Sequence, residues 1–171
     1  MRLYVGDAAD RLASNALVFE SLLAGIASDQ AAWKPEPTQW SILEVVNHLA
    51  DEEVEDFRRR LELTLTDPVK PWPSIDPQGW VSARGYLDRE LGESCERFKA
   101  EPARSVAWLR QLRPDLERSH EHPTLGPMKA GDLLASWLAH DLIHIRQITR
   151  LHYRWLERQA APYKLGYAGP F

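Results

Sequence analysis

Residues 139–152 read AHDLIHIRQITRLH, and they decide what kind of molecule this chain makes. At about 100° per residue, His140 and His144 fall about 40° apart on a helical wheel. Leu133, Trp137, Ile148 and Leu151 share their sector, whereas Arg146 and Arg150 project to the other side. The stretch therefore reads as one long helix, from about Lys129 to about Leu156, whose inward stripe carries two imidazoles among apolar side chains. Burying a polar group is costly unless it finds a partner. Two histidines at i,i+4 meet at a common point, where one metal ion satisfies a nitrogen of each. The plainer reading is two buried neutral histidines bonded to backbone or acid.

Working outward, the same periodicity recurs upstream. Leu12, Ala16, Phe19, Leu23 and Ile26 mark one face of a helix from Asp7 to about Ala27. Pro35 and Pro37 make the following SDQAAWKPEPTQW a connector. Ser41, with Glu44 three residues on, is a capping box, so a second helix is predicted from about Ile42 to Leu65, stopped by Asp67 and Pro68. TDPVKPWPSIDPQGW is too rich in proline for helix or strand, and its length suggests an overhand crossover. A third helical segment is predicted from near Val81, with Leu87, Leu91, Cys95 and Phe98 on one face. Pro102 should kink or divide it before Val106, Leu109 and Leu112. No strand and no repeat is evident. The fold class is all-α: a four-helix bundle, up-and-down-like, with a long crossover between helices 2 and 3. Residues 1–171 are read as a single domain.

Composition narrows the functional classes. Net charge is -4 and no Lys/Arg run occurs, so neither nucleic acid nor an anionic membrane is an expected partner. No segment approaches the length of a membrane span. With one cysteine, Cys95, and no signal-peptide pattern at the start, a cytoplasmic location is expected. A phosphate loop, a G-x-S-x-G elbow and a CxxC pair are all missing from the sequence.

A third histidine stands in the second helix, in WSILEVVNHLADEEVEDF. His48 shares a face with Glu44, Glu52 and Glu55, with Asp51 nearby. That face is either solvated and acidic or, if turned inward, a source of a third ligand, with Glu52 as a fourth ligand or as an acceptor that orients an imidazole. Three histidines from two helices leave a coordination position open, as in catalytic metal sites. HDLIH is a poor match to the H-E-x-x-H protease motif, because Asp141 is one methylene shorter than the glutamate and His152 lies on another sector. His120 and His122 are assigned to a loop. Cys95 reads as core.

Together, WKPEPTQWSILEVVNHLADEE and HPTLGPMKAGDLLASWLAHDLIHIRQI resemble the DinB-like superfamily across essentially the whole chain. The W-S-x-x-E-x-x-x-H-L run, the I-D-P element and the H-D-x-x-H-x-x-Q-I run carry the resemblance. It implies a four-helix bundle with a divalent metal held by His48, His140 and His144, and often a homodimer. Relatives of this kind include thiol-dependent S-transferases, maleylpyruvate isomerases and metal-dependent hydrolases, so it also implies a small-molecule substrate and, in some, a low-molecular-weight thiol cosubstrate. Arg84, Arg146 and Arg150 are the candidate cations for a thiol site. Zn²⁺ or Ni²⁺ is the expected ion, acting as a Lewis acid on water or thiol. Glu52 and Asp141 are the candidate catalytic groups, to orient a ligand or move a proton. The competing reading is a non-catalytic metal-binding or stress-response bundle.

Overall fold

A computed structural model describes residues 3–171. Four helical rods dominate it: α1 (Val5–Leu23), the continuous α3 (Ile42–Glu52), π-helical turn (Glu53–Arg58) and α4 (Arg59–Thr66), then α6 (Leu91–Gln111) and α7 (Ala130–Ala160). The predicted four-helix bundle is thus the observed architecture. α1 packs on α6 and α7, and α3 packs on α6. No helix among the described residues is long and apolar enough to cross a membrane.

Local chemistry explains the ends. The Ser41 hydroxyl accepts from Glu44 N–H at 3.2 Å, and Ser41 N–H donates to Glu44 Oε2 at 2.7 Å. This is the predicted capping box, worth about 1 kcal/mol at its N-cap side chain. α7 starts at Ala130, where the Asp132 carboxylate accepts from Lys129 N–H.

Several expectations need correction. The connector after α1 holds a short helix, α2 (Ser28–Ala32). The third segment does not begin at Val81. A short α5 (Pro77–Ala83) lies inside the proline-rich stretch, and the main helix starts only at Leu91. Proline favours the first helical turn, where its missing N–H costs nothing. The Asp76 carboxylate caps α5 by accepting from Gly79 N–H at 3.0 Å, and a Cβ on Gly79 would stand 2.0 Å from Asp76 Oδ2. A larger residue there would displace the Asp76 carboxylate from its cap. Pro102 does not divide α6, which runs unbroken through it. The lost hydrogen bond is outweighed because Phe98 on one side and Val106 and Leu109 on the other are each anchored in the core. A small antiparallel hairpin, β1 (Ser119–His122) and β2 (Gly126–Lys129), is present where no strand was expected, and it carries His120 and His122. It turns at Gly126, whose φ of +73° suits glycine.

The core comes in two apolar clusters. One gathers Leu12, Phe57, Leu61, Leu109, Leu134 and Trp137, and the other Phe19, Val45, Val46, Leu49, Phe98 and Ile148. Between them lies a buried polar layer, where Asn15 bonds Asp141 and Glu53 lies beside Ser105 and Asp141.

The π-turn sets the phase of the second rod. His48 and Phe57 are nine residues apart, which would put them roughly 180° apart on a regular helix. A π-turn takes up one extra residue, leaving roughly 80°. Both rings accordingly face His140, with centroids 5.4 and 4.9 Å away.

Candidate metal centre

α3 and α7 bring His48, His140 and His144 together, so that one ligand atom from each lies within 4.8 Å of the others. The His140 and His144 Nε2 atoms are 3.1 Å apart. For bonds of about 2.05 Å, two nitrogens on one ion stand about 2.9 Å apart at a right angle and about 3.4 Å apart at the tetrahedral angle, so the spacing suits a shared ion.

The surroundings keep the imidazoles neutral, as metal ligation requires. Burial, with His144 as a lesser cause, holds His48 down to about 3, and burial first, then His144 and His48, does the same to His140. Burial also lowers His144, against the hydrogen bond that its ring donates to Gln147. The His144 Nδ1–H donates to Gln147 Oε1 at 2.7 Å. That contact leaves the lone pair on Nε2, facing His140. Rings wedge the ligands in place: Trp40 stands edge-on to His48 at 4.8 Å. The cluster is short of partners, because His48 Nδ1 and Glu52 Oε1 are buried with no hydrogen bond among the described residues. The donor set, its neutrality and these orphaned atoms fit a divalent cation.

The histidines form the floor of an open cleft of about 610 Å³. Its walls include Trp40 from the connector before α3, Glu52, Pro77 and Gln78 from α5, and Gln147, Arg150 and Arg154 from α7. The long connection thus helps shape the site. Burial, then the neighbouring Asp56 carboxyl, pushes Glu52 up to about 8. Asp56 in turn lies 2.9 Å from Arg60.

Not every candidate joins this centre. Asp141 turns into the polar layer, where it accepts from Asn15 Nδ2 at 3.0 Å and burial raises it to about 6. Beside it Glu53 accepts from Trp137 Nε1 at 2.9 Å, and burial raises it to about 7. The acidic face around His48 is not solvated: Glu44, Asp51 and Glu52 are all buried. Glu44 pairs with Lys34, and Glu55 turns away to Arg84. Arg84 also binds Asp51 at 2.7 Å, so it is spent on structure rather than on a thiol. Burial raises Asp51, but hydrogen bonds from Tyr86, Arg97 and Arg84 outweigh it and hold the carboxyl below its ordinary value. Cys95 is half-buried and off the cleft, with its thiol pushed up by burial. His152 lies 2.7 Å from the Leu22 carbonyl, and His120 2.9 Å from the Lys70 carbonyl.

Sequence reasoning did not single out two residues of the site, and it misjudged the direction of a third, Arg150, that it had named as a candidate cation. Gln147 follows His144 by three residues, on the same face, so its signal was in the spacing. Trp40 was one indole among several. Arg150 was assigned outward, yet it stands only about 80° from His140 on the wheel, and its long side chain covers that angle.

Comparison with known proteins agrees with this fold. A family model described as the DinB superfamily matches residues 12–148. A protein of Oceanobacillus iheyensis, by name a candidate metal-dependent hydrolase, is 32% identical over 116 residues, which are 66% of this chain and 64% of the relative's own length. Among solved structures, YfiT from Bacillus subtilis, described as a probable metal-dependent hydrolase with an unusual four-helix bundle topology, superposes with a TM-score of 0.77 at 22% identity, covering 88% of this chain and 87% of that one.

Proposed function

The chain belongs to the DinB superfamily, and from that premise we propose that it is a metal-dependent hydrolase acting on a small molecule, with His48, His140 and His144 holding one Zn²⁺ or Ni²⁺ ion. The observation that carries this reading is the convergence of three neutral imidazoles on the floor of an open cleft, with no fourth nitrogen or thiolate beside them among the described residues. Such a donor set leaves room for a reactant, whereas structural zinc sites are closed by four protein ligands. When bound, the ion supplies Lewis acidity, which makes an anionic nucleophile available near neutral pH. Water is the preferred nucleophile, in keeping with the names of the relatives. An external thiol is the variant of the same chemistry, and it would have to be a cosubstrate because Cys95 lies off the cleft.

The chain's own groups supply the rest. Gln147 fixes the His144 tautomer. Trp40 packs edge-on against the His48 ring and Phe57 against the His140 ring, which holds both in orientation. Glu52 lines the cleft wall with one carboxyl oxygen buried and unpartnered, and it is the group placed to orient a ligand or move a proton. Asp141 takes a different part from the one its sequence position suggested: it ties α7 to α1 through Asn15.

The test is metal analysis of untagged protein, wild type against His144→Ala. One ion per chain is expected for the wild type and none for the variant. The variant should keep its helical circular dichroism, since the two apolar clusters hold the bundle without the ion. Loss of most of that signal would make the site structural, and wild-type protein that takes up no ion would end the proposal.

A further inference from the structure

Arg150 is the unspent charge of the cleft. Other arginines that reach buried carboxyls are paired: Arg58 with Glu101, Arg60 with Asp56, Arg97 and Arg84 with Asp51. Arg150 lines the cleft wall and makes no ion pair or side-chain hydrogen bond among the described residues. Arg154, one turn further along α7, lines the same wall and rests on Glu157 at 3.1 Å, where both are well exposed. Among the described residues that line the cleft the one exposed acid is Glu36, and it makes no ion pair with either.

We infer that the substrate carries an anionic group, a carboxylate or a phosphate, which Arg150 binds with Arg154 at the rim. This deepens the proposed function and rests on it only for where the reacting atom lies. Arg150 is the wall's unpaired positive charge, and Arg154 adds a guanidinium that it shares with Glu157, so this wall favours an anion. The guanidinium is a planar fork that matches carboxylate and phosphate oxygens, and a bidentate contact fixes orientation as well as affinity. Arg150 follows His144 by six residues, a rise of about 9 Å along the helix. The anionic group therefore sits several bonds from the bond that reacts. It anchors the ligand while the floor holds the reacting end. An unpaired arginine beside the cleft costs little while water solvates it, and it needs no partner to be given up when the ligand arrives.

The probes are hexanoate, hexyl phosphate and hexanol, titrated into the metal-free protein and followed by ¹⁵N NMR at the Arg150 Nε–H and the Trp40 indole N–H. Both anions, or one of them, should move the two signals saturably, and hexanol should not. The anion that saturates at the lower concentration identifies the group. Arg150→Gln should weaken binding roughly tenfold to a hundredfold, as loss of a charge-assisted contact does, and Arg150→Lys should recover part of it. No saturable shift with either anion, an equal shift with hexanol, or equal binding by the Gln variant overturns the inference. A separate zinc titration keeps the two readings apart. If no ion binds but the anion shifts persist, the metal reading falls and the anion site stands.

Discussion

Replacing Gln147 with leucine should cost metal affinity without harming the fold. Gln147 Oε1 accepts the His144 Nδ1–H at 2.7 Å, and His144 is buried, so no bulk water replaces the contact. Leucine has nearly the same volume but no acceptor. The Nδ1–H is then orphaned, which costs about 1–3 kcal/mol in a buried site. The imidazole can escape that cost by moving its proton to Nε2, where the partner is His140 Nε2 at 3.1 Å. In that tautomer the nitrogen facing the ion has no lone pair to give. Partners that orient metal-binding histidines typically contribute tenfold to a hundredfold in affinity, which is about 1.4–2.7 kcal/mol. Competition with a chelator of known zinc affinity, followed by calorimetry, measures it. Gln147→Leu should fall in that range, and Gln147→Glu, which keeps an acceptor and adds charge, should bind at least as tightly as wild type. A leucine variant with wild-type affinity would refute the reasoning. So would glutamate and leucine variants weakened alike, since that would reduce Gln147 to packing.

Two further outcomes follow from the buried titratable groups. Burial holds His48 and His140 near 3, so the unfolded chain takes up protons below about 6.5 while the folded chain does not, and both histidines withdraw stability as pH falls from there towards 3. The raised Glu52, Glu53 and Asp141 offset this until pH falls below about 3.8, where they are protonated in either state; from there towards 3 chemical denaturation of metal-free protein should show stability falling with pH, and a profile that rises between pH 3.8 and 3 would contradict it. Trp137→Phe should destabilise by about 1–3 kcal/mol beyond any packing loss, because it removes the indole N–H that donates to Glu53, and the double variant with Glu53→Gln should recover part of that in urea denaturation.

Much of the fold was legible because it rests on repetition. Apolar residues at spacings of three and four mark all four rods, and Ser41 with Glu44 announces the start of the second. What stayed hidden depends on single events without periodicity. The hairpin has two four-residue strands, too short for an alternating pattern, and its His120 is held by stacking on Trp72, with centroids 4.3 Å apart, rather than by any local signal. α5 hides inside a proline-rich stretch because proline reads as a breaker, while here Pro77 occupies the first turn and Asp76 caps it. Pro102 failed in the opposite sense: a local rule against proline in helices lost to tertiary anchors on both sides.

The site divides in the same way. The histidine pair on α7 is pure spacing, and a wheel finds it. His48 is harder, since its inward direction depends on how the second rod faces the first, which no single helix encodes. Glu55 shows the limit. On a regular helix it lies about 20° from His48 and would join the cleft. It does not, because the π-turn begins at Glu53 and removes roughly one residue of rotation, sending Glu55 to Arg84 and bringing Phe57 against His140. Glu52, the last residue before that turn, keeps its place on the cleft wall. The extra residue thus separates two neighbouring acids that the sequence presents as equivalents: one becomes a buried group on the cleft wall that the histidines share, and the other half of an ion pair with Arg84. A π-turn weakens the helix that contains it. Its position here, between the third histidine and the ring that packs on the first, accounts for why this rod carries one.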